Sequence, residues 1–456
     1  MKIFKKNSNI NLNGKTFGEL KNESTTSRPK VPEPNEVIQV TPEYEEIKRL
    51  IDGNQKIIFV TGGAGTGKST FIKWIEGKYP GKVAIAAPTG IAALTVSGVT
   101  IHRMCKFPPA WIVEADISID PKSVIPKIDI LILDEISMVN ANLLDGIDKF
   151  CKLHRKDSKK EPFGGLTVIM VGDLFQLPPV VTHVTEPLFR REYNSAKFFS
   201  SHALTNSAPS GVELSSPFRQ KDEKLIRLLA NIREGIDLES SIDEINSNCV
   251  ITEVPPIGAV HLAPRNRDVE IINSRELSKL PLPEKTFKST LSGKFSERQL
   301  PAPDKITVRV GAQVVLLNNS KEWVNGNVGV VTSIANDKVS VKLIDSGKTV
   351  EVRSFEWKNY DYKYDETEKK VVRQVIGTFM QIPISLAWAM TIHKSQGLTL
   401  DKVHLDLGSG AFETGQTYVA LSRTRSMSAI TLAKKLSLND ILVDKEAVDF
   451  YQAIRG

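Results

Sequence analysis

The octet Gly62-Gly63-Ala64-Gly65-Thr66-Gly67-Lys68-Ser69 restricts this chain more than any other stretch. A β-type run, Ile57–Val60, precedes it and a helical stretch, Ser69–Glu76, follows. Glycines at four of eight positions let backbone N–H groups close around phosphate oxygens, and the helix N-terminus beyond adds a positive dipole. A strand–loop–helix of this kind predicts a parallel α/β sheet. It marks Gly62, Gly63, Gly65, Thr66, Gly67, Lys68, Ser69 and Thr70 as nucleotide-binding, with Lys68 on the β- and γ-phosphates and Ser69 on a metal. ATP and Mg²⁺ are the cofactors expected.

Other short apolar runs repeat the pattern. Val83–Ala87, Ile130–Leu133 and Thr167–Val171 join Ile57–Val60, while Ala259–Leu262, Val403–Leu407 and Ile430–Ala433 form a second series. Near-continuous apolar strands separated by helical stretches are what a sheet covered on both faces requires. Two α/β domains are predicted, which suits 456 residues with 41% apolar side chains. Asp134-Glu135 ends one run and so lies at the carboxyl edge of the sheet, where ligands of open α/β folds bind. Asp134 is the expected metal ligand and Glu135 the group that polarises water. Gln176, in Gly172-Asp173-Leu174-Phe175-Gln176, follows another strand and is placed to meet both γ-phosphate and water.

Between residues 304 and 372 the texture turns to alternating strands with turn signals, predicting a small β-barrel inserted in the second α/β domain. Residues 97–122, with Phe107-Pro108-Pro109 and Trp111, read as a shorter insertion in the first. Residues 1–37 read as a flexible basic arm; residues 1–34 hold seven basic side chains against three acids, so more than half of the +7 charge lies there. Bulk charge thus permits a polyanionic partner without identifying one. Cys105, Cys151 and Cys249 are too scattered for a disulfide framework or zinc site, and a reducing, cytoplasmic compartment is expected. No apolar run reaches the ~18 residues of a membrane span, and none follows the N-terminal lysines as a secretory signal would.

A family resemblance becomes visible in the order of the motifs. Ala87–Ala93, Asp134–Met138, Gly172–Pro179, Phe218-Arg219-Gln220, Thr391–Gly397 and Gln416–Arg423 resemble the successive motifs of superfamily 1 helicases. RecD-like and Dda-like helicases share much of this set. Asp148-Lys149-Phe150, Arg155-Lys156 and Pro162–Leu166 are similar to the signature segment of the petite integration frequency (Pif) helicases.

The resemblance implies two RecA-like P-loop domains, the first from 38–96 and 123–206 with a wedge insertion at 97–122. The second comprises 207–303 and 373–440, carries an SH3-like β-barrel at 304–372, and is followed by a C-terminal helix at 441–456. It implies ATP-driven 5′-to-3′ movement on single-stranded DNA, unwinding of tailed duplex and often G-quadruplex DNA, and roles in DNA replication, repair, recombination and telomere maintenance. If the chain is eukaryotic, a nuclear or mitochondrial place is implied, and if bacterial, the nucleoid. A monomer is expected. Arg219 and Arg423 are implied to reach the γ-phosphate from the second domain. Tyr44 stands where the family places an adenine-reading glutamine; a tyrosine can stack on a base but cannot make the paired amide bonds.

Thr89, His102, His393 and Lys394 fall in segments that touch DNA in such helicases, although a buried, satisfied histidine explains His102 or His393 equally. Phe107 and Trp111 suit either a strand-separating wedge or a local mini-core. Tyr360, Tyr362 and Tyr364 line one face of a strand, or else a DNA platform. Three functions compete: a DNA helicase, a translocase that displaces proteins without unwinding, and a nucleotide-switched DNA-binding module.

Overall fold

The computed structural model describes residues 38–455 except 156–157, 206, 217, 219, 221 and 296–299. The expected basic arm, together with Lys156 and Arg219, lies outside the described residues. The first helix among the described residues is α1 (Pro42–Asp52), whose Pro42 start and Gly53 end match the sequence signals.

The first sheet alternates with helices: β1 (Ile57–Thr61), α2 (Lys68–Lys78), β2 (Val83–Ala87), α3 (Gly90–Thr95), β3 (Val99–Thr100), β4 (Ile130–Leu133), β5 (Thr167–Gly172) and β6 (Ser210–Glu213). All strand pairs are parallel, in the spatial order β3-β2-β4-β5-β1-β6. Every residue of β1, β2, β4 and β5 is buried, which explains their unbroken apolar character. This order sets β5 between β1 and β4, so the loops after all three gather at one edge.

A second parallel sheet holds, in spatial order, Ala389–Thr391, Val260–Ala263, Val403–Leu405, Ile430–Leu432 and Val250–Ile251. The inserted β unit has its own core around Val314, Val331, Val341, Val352 and Ile384. It is a five-stranded antiparallel sheet of Gln313–Leu316, Val328–Ile334, Lys338–Leu343, Thr349–Arg353 and Ile384–Leu386. The expected bounds of 304 and 372 are too narrow. Strand structure starts at Lys285, and residue 372 falls inside the strand Lys370–Gln381.

That strand pairs with Phe355–Asp365 in a long hairpin, which leaves the second domain and lies against the first. Ile85 N–H donates to the Tyr362 hydroxyl (2.8 Å), Val371 N–H donates to Gly81 O (3.1 Å), and Arg103 pairs with Asp361 (3.0 Å). Arg373 also pairs with Glu76, and the Lys127 ammonium lies over the Tyr364 ring. Tyr362 is therefore spent on bracing β2, and is no platform for bases in this arrangement.

The wedge expectation is corrected. Val99–Thr100 is an edge strand of the first sheet and Ile101–Cys105 a helix, so the irregular segment begins only at Lys106. Phe107 is buried edge-to-face on Phe150, and Trp111 packs on Phe189 and Tyr193. Asn142 holds both the N–H and the carbonyl of Ile112, and His154 accepts from Asp120 N–H. The mini-core alternative is the one the packing supports. Phe107→Ala is expected to cost about 3–5 kcal/mol, measured by denaturant unfolding, with activity per folded molecule unchanged. A large loss of unwinding at undiminished stability would restore the wedge.

Candidate nucleotide site

The loop after β1 is shaped by backbone rather than side chains. Gly65 and Gly67 adopt φ of 82° and 88°, which other residues reach only with strain. Gly62 is closed in differently, since a Cβ there would meet Thr66 Oγ1 at 2.5 Å and Leu214 O at 2.8 Å. Thr66 Oγ1 donates to Gly63 O (3.0 Å), and Lys68 Nζ donates to the Gly62 and Gly63 carbonyls (2.8 and 3.0 Å). Ser69 and Thr70 stand exposed at the start of α2.

Across the edge, Asp134 is buried after β4, and half-buried Glu135 stands beside it with its Oε2 enclosed. Burial first, and the adjacent Glu135 second, push Asp134 up to about 7, while the Lys68 charge pulls it down. Burial also raises Glu135, against the pull of Lys68 and Arg423. Glu135 takes a left-handed backbone (φ 50°), and its Oε2 is buried with no hydrogen-bond partner. A strained carboxylate with an unused oxygen is the kind of group a cation or an attacking water satisfies. Among the described residues no three His, Cys, Asp or Glu side chains could jointly hold a metal. Mg²⁺ commonly takes only one or two carboxylates and completes its shell with phosphate and water. Asp134 and Ser69 fit that donor set.

Gln176 is buried after β5, donating to Asp173 Oδ2 (3.1 Å) and accepting from Gln396 Nε2 (2.9 Å). Arg423 is 1% exposed; it donates to Val419 O (2.7 Å), Ser395 O (3.3 Å) and Ser422 Oγ (2.6 Å), and its charge is felt at Glu135 across the cleft. Tyr44 departs from expectation. It is 1% exposed, packed on Phe71 and Trp74, and its hydroxyl donates to Gly67 O (2.9 Å). Here it braces the phosphate loop from beneath instead of facing a base.

Phe218, quoted in the sequence only as part of a motif, is exposed at the loop's far end. Its N–H donates to Gly65 O (2.9 Å), and its ring reaches 3.0 Å from a Cβ built on Gly67. Tyr418, quoted likewise only as part of a motif, and Arg233, which lies in none, also touch the loop. Ala64 N–H donates to the Tyr418 hydroxyl (3.1 Å), and an Arg233 guanidinium nitrogen lies 3.5 Å from a Cβ built on Gly63.

The remaining expected residues lie on three segments. Thr89 caps α3, accepting from Ala92 N–H (3.2 Å), and half-buried His102 has a pKa lowered by burial. His393 pairs with Glu413 (3.0 Å), and Lys394 is exposed beside it. The segment resembling the Pif signature has a clear structural task. Asp148 accepts from Phe163 N–H (2.7 Å), and Arg155 donates to the carbonyls of Gly164, Ile125 and Ile128. It folds the 158–166 loop onto the helix Ala141–His154.

Residues 39–236 match the family model of PIF1-like helicases, and residues 364–446 match a model described as a helicase. The ATP-dependent DNA helicase Pif1 of Bdellovibrio bacteriovorus is 32% identical over 92% of this chain and 93% of its own length. The chain belongs to the PIF1-like helicase family. Human ATP-dependent DNA helicase PIF1 is 32% identical over 91% of the chain but 64% of its own length, so the chain spans just under two thirds of that relative. Bacteroides Pif1 in complex with ADP-AlF4 superposes with a TM-score of 0.85 at 33% identity, covering 91% of this chain and 97% of that one. Bacteroides Pif1 bound to single-stranded DNA gives 0.64 at 34% identity and the same coverage. The TM-score is thus higher against the ADP-AlF4 complex than against the form bound to single-stranded DNA.

The carboxylate pair carries a pH signature. A carboxyl raised on folding stabilises the folded chain below its unfolded pKa of 3.8, and that contribution is lost as the pH climbs through about 7. Asp134→Asn, which fixes the uncharged form, is expected to raise the Tm of the nucleotide-free protein at pH 8 and to raise it by less than half as much at pH 5. Thermal melts at the two pH values check this.

Proposed function

We propose that this chain is a Mg-ATP-dependent DNA helicase that moves 5′-to-3′ on single-stranded DNA and unwinds tailed duplexes. The observation that carries the reading is the meeting of the phosphate loop, the Asp134–Glu135 pair and the charge of Arg423 in one interdomain cleft. Support for a DNA partner comes from Bacteroides Pif1, which binds single-stranded DNA.

In this reading the loop N–H groups and Lys68 bind the β- and γ-phosphates, and Ser69 and Asp134 hold Mg²⁺, which neutralises developing charge when bound. Glu135 orients the attacking water with its free oxygen. Gln176 touches the γ-phosphate, and Arg219 and Arg423 stabilise the transition state from the opposite domain. Such arginines contribute ~10³–10⁵ in rate, about 4–7 kcal/mol of barrier. Splitting the site between domains ties hydrolysis to cleft closure, and alternating grip on the strand turns closure into steps. Thr89, His102, His393 and Lys394 serve as strand contacts to phosphate and sugar, which position DNA without reading sequence. G-quadruplex DNA is a further substrate in this reading, the working unit is a monomer, and the site of action is wherever the cell keeps its DNA.

Lys68→Ala is expected to abolish ATP turnover while single-stranded DNA affinity, read by fluorescence anisotropy, stays within threefold. Retained turnover would refute the phosphate assignment. Strand separation should need a 5′ single-stranded tail and be driven by ATP; unwinding of 3′-tailed duplexes alone would overturn the polarity. ATP hydrolysis unaffected by single-stranded DNA would favour the nucleotide switch.

A further inference from the structure

An amide of the phosphate loop is bonded to the second domain. Ala64 N–H donates to the Tyr418 hydroxyl at 3.1 Å, and that hydroxyl donates to Asp173 Oδ2 at 2.8 Å. Asp173 Oδ2 also accepts from Gln176 Nε2 at 3.1 Å, so Gln176 Oε1 faces away and accepts from Gln396 Nε2 at 2.9 Å. Each direction is fixed, because an amide N–H can only donate and a carboxylate can only accept. Turning the Gln176 amide over would set two acceptors against each other. The line of bonds runs from the loop to the turn that carries His393 and Lys394.

We propose that Tyr418 is a positioning residue that passes the nucleotide state of the phosphate loop to the Ile392–Gly397 segment through Asp173, Gln176 and Gln396. The proposal rests on the helicase reading for the meaning of that segment.

Competition for a single donor supplies the switch. N–H groups of such loops are what phosphate oxygens bind, and a charged acceptor makes a bond roughly twice as strong as a neutral hydroxyl. Phosphate therefore takes the Ala64 N–H from Tyr418. The hydroxyl is buried, so no bulk water replaces the lost donor. Burial and the Asp173 carboxylate hold the phenol far above its usual range, which keeps its proton available for Asp173. Arg233 closes the pocket from behind: its guanidinium faces Gly63, bonds Glu213 (2.9 Å) and the Tyr451 hydroxyl (2.7 Å), and lies over the Phe175 ring.

The backbone leaves little slack for the signal to dissipate. Tyr418 lies on the helix Gln416–Leu421, and a Cβ on Gly415 at its start would sit 2.3 Å from Phe175 O and 3.1 Å from Gln176 O. A shift of the 173–176 loop is thus passed directly to that helix.

The test uses the full chain and the isosteric variants Tyr418→Phe and Gln396→Met, singly and combined. The ratio of ATP turnover with saturating single-stranded DNA to turnover without DNA should fall at least fivefold in each single variant. The double variant should be no worse than the worse single one, as a shared line of contacts requires. An unchanged ratio, or losses that multiply, would overturn the relay. Hydrogen exchange gives a readout independent of turnover. Adding ADP with aluminium fluoride should change protection across residues 392–397 in the parent chain, and Tyr418→Phe should abolish that change. If the parent chain shows no DNA stimulation but does show the exchange change, the helicase reading fails and the relay stands. If both variants keep the exchange change, the relay fails on its own.

Discussion

Buried charge without solvent to screen it sets the conditions in the cleft. Two carboxylates, Asp134 and Glu135, follow a strand that is wholly buried, where an ionised pair is costly. Lys68 and Arg423 offset part of that cost from two different domains. The site is therefore incomplete in either domain alone.

The same logic explains how the loop holds its shape. Its inward donors find substitutes: Lys68 turns to the Gly62 and Gly63 carbonyls, and Ala64 N–H to Tyr418. From below, Tyr44 ties Gly67 O to the first helix. These contacts hold the loop near its binding shape, so less ordering entropy is lost when a nucleotide arrives. The contact to Tyr418 differs from the others because it alone crosses to the second domain.

Local pattern made much of this legible. The phosphate loop, the Asp134–Glu135 edge and the parallel strands depend on contiguous residues, and their placement follows from strand polarity. What stayed hidden was side-chain direction and long-range contact. Tyr44 aligns with a base-reading position, yet one turn of helix aims it into Phe71 and Trp74. Phe107 and Trp111 carry the composition of an exposed wedge, but their partners Phe150, Phe189 and Tyr193 are far along the chain. The alternating tyrosines of the hairpin were visible; that Tyr362 meets β2 was not, since no periodicity encodes contact between domains.

The chain also crosses the cleft twice. The first crossing follows β6, and the second returns through residues 433–445 to the helix Lys445–Arg455, which docks on the first domain. There Phe450 stacks on Phe199 and meets Phe59 and Phe198, and Lys197 pairs with Asp444 and Glu446. Tyr451 and Glu213, both on the first-domain side, grip Arg233 from the second-domain helix Glu223–Glu234. A joint with two covalent strands and a buried cation between them resists sliding more than bending, because sliding would strand the Arg233 charge away from its carboxylate. Arg233 also lies beside Gly63, so this joint sits against the phosphate loop.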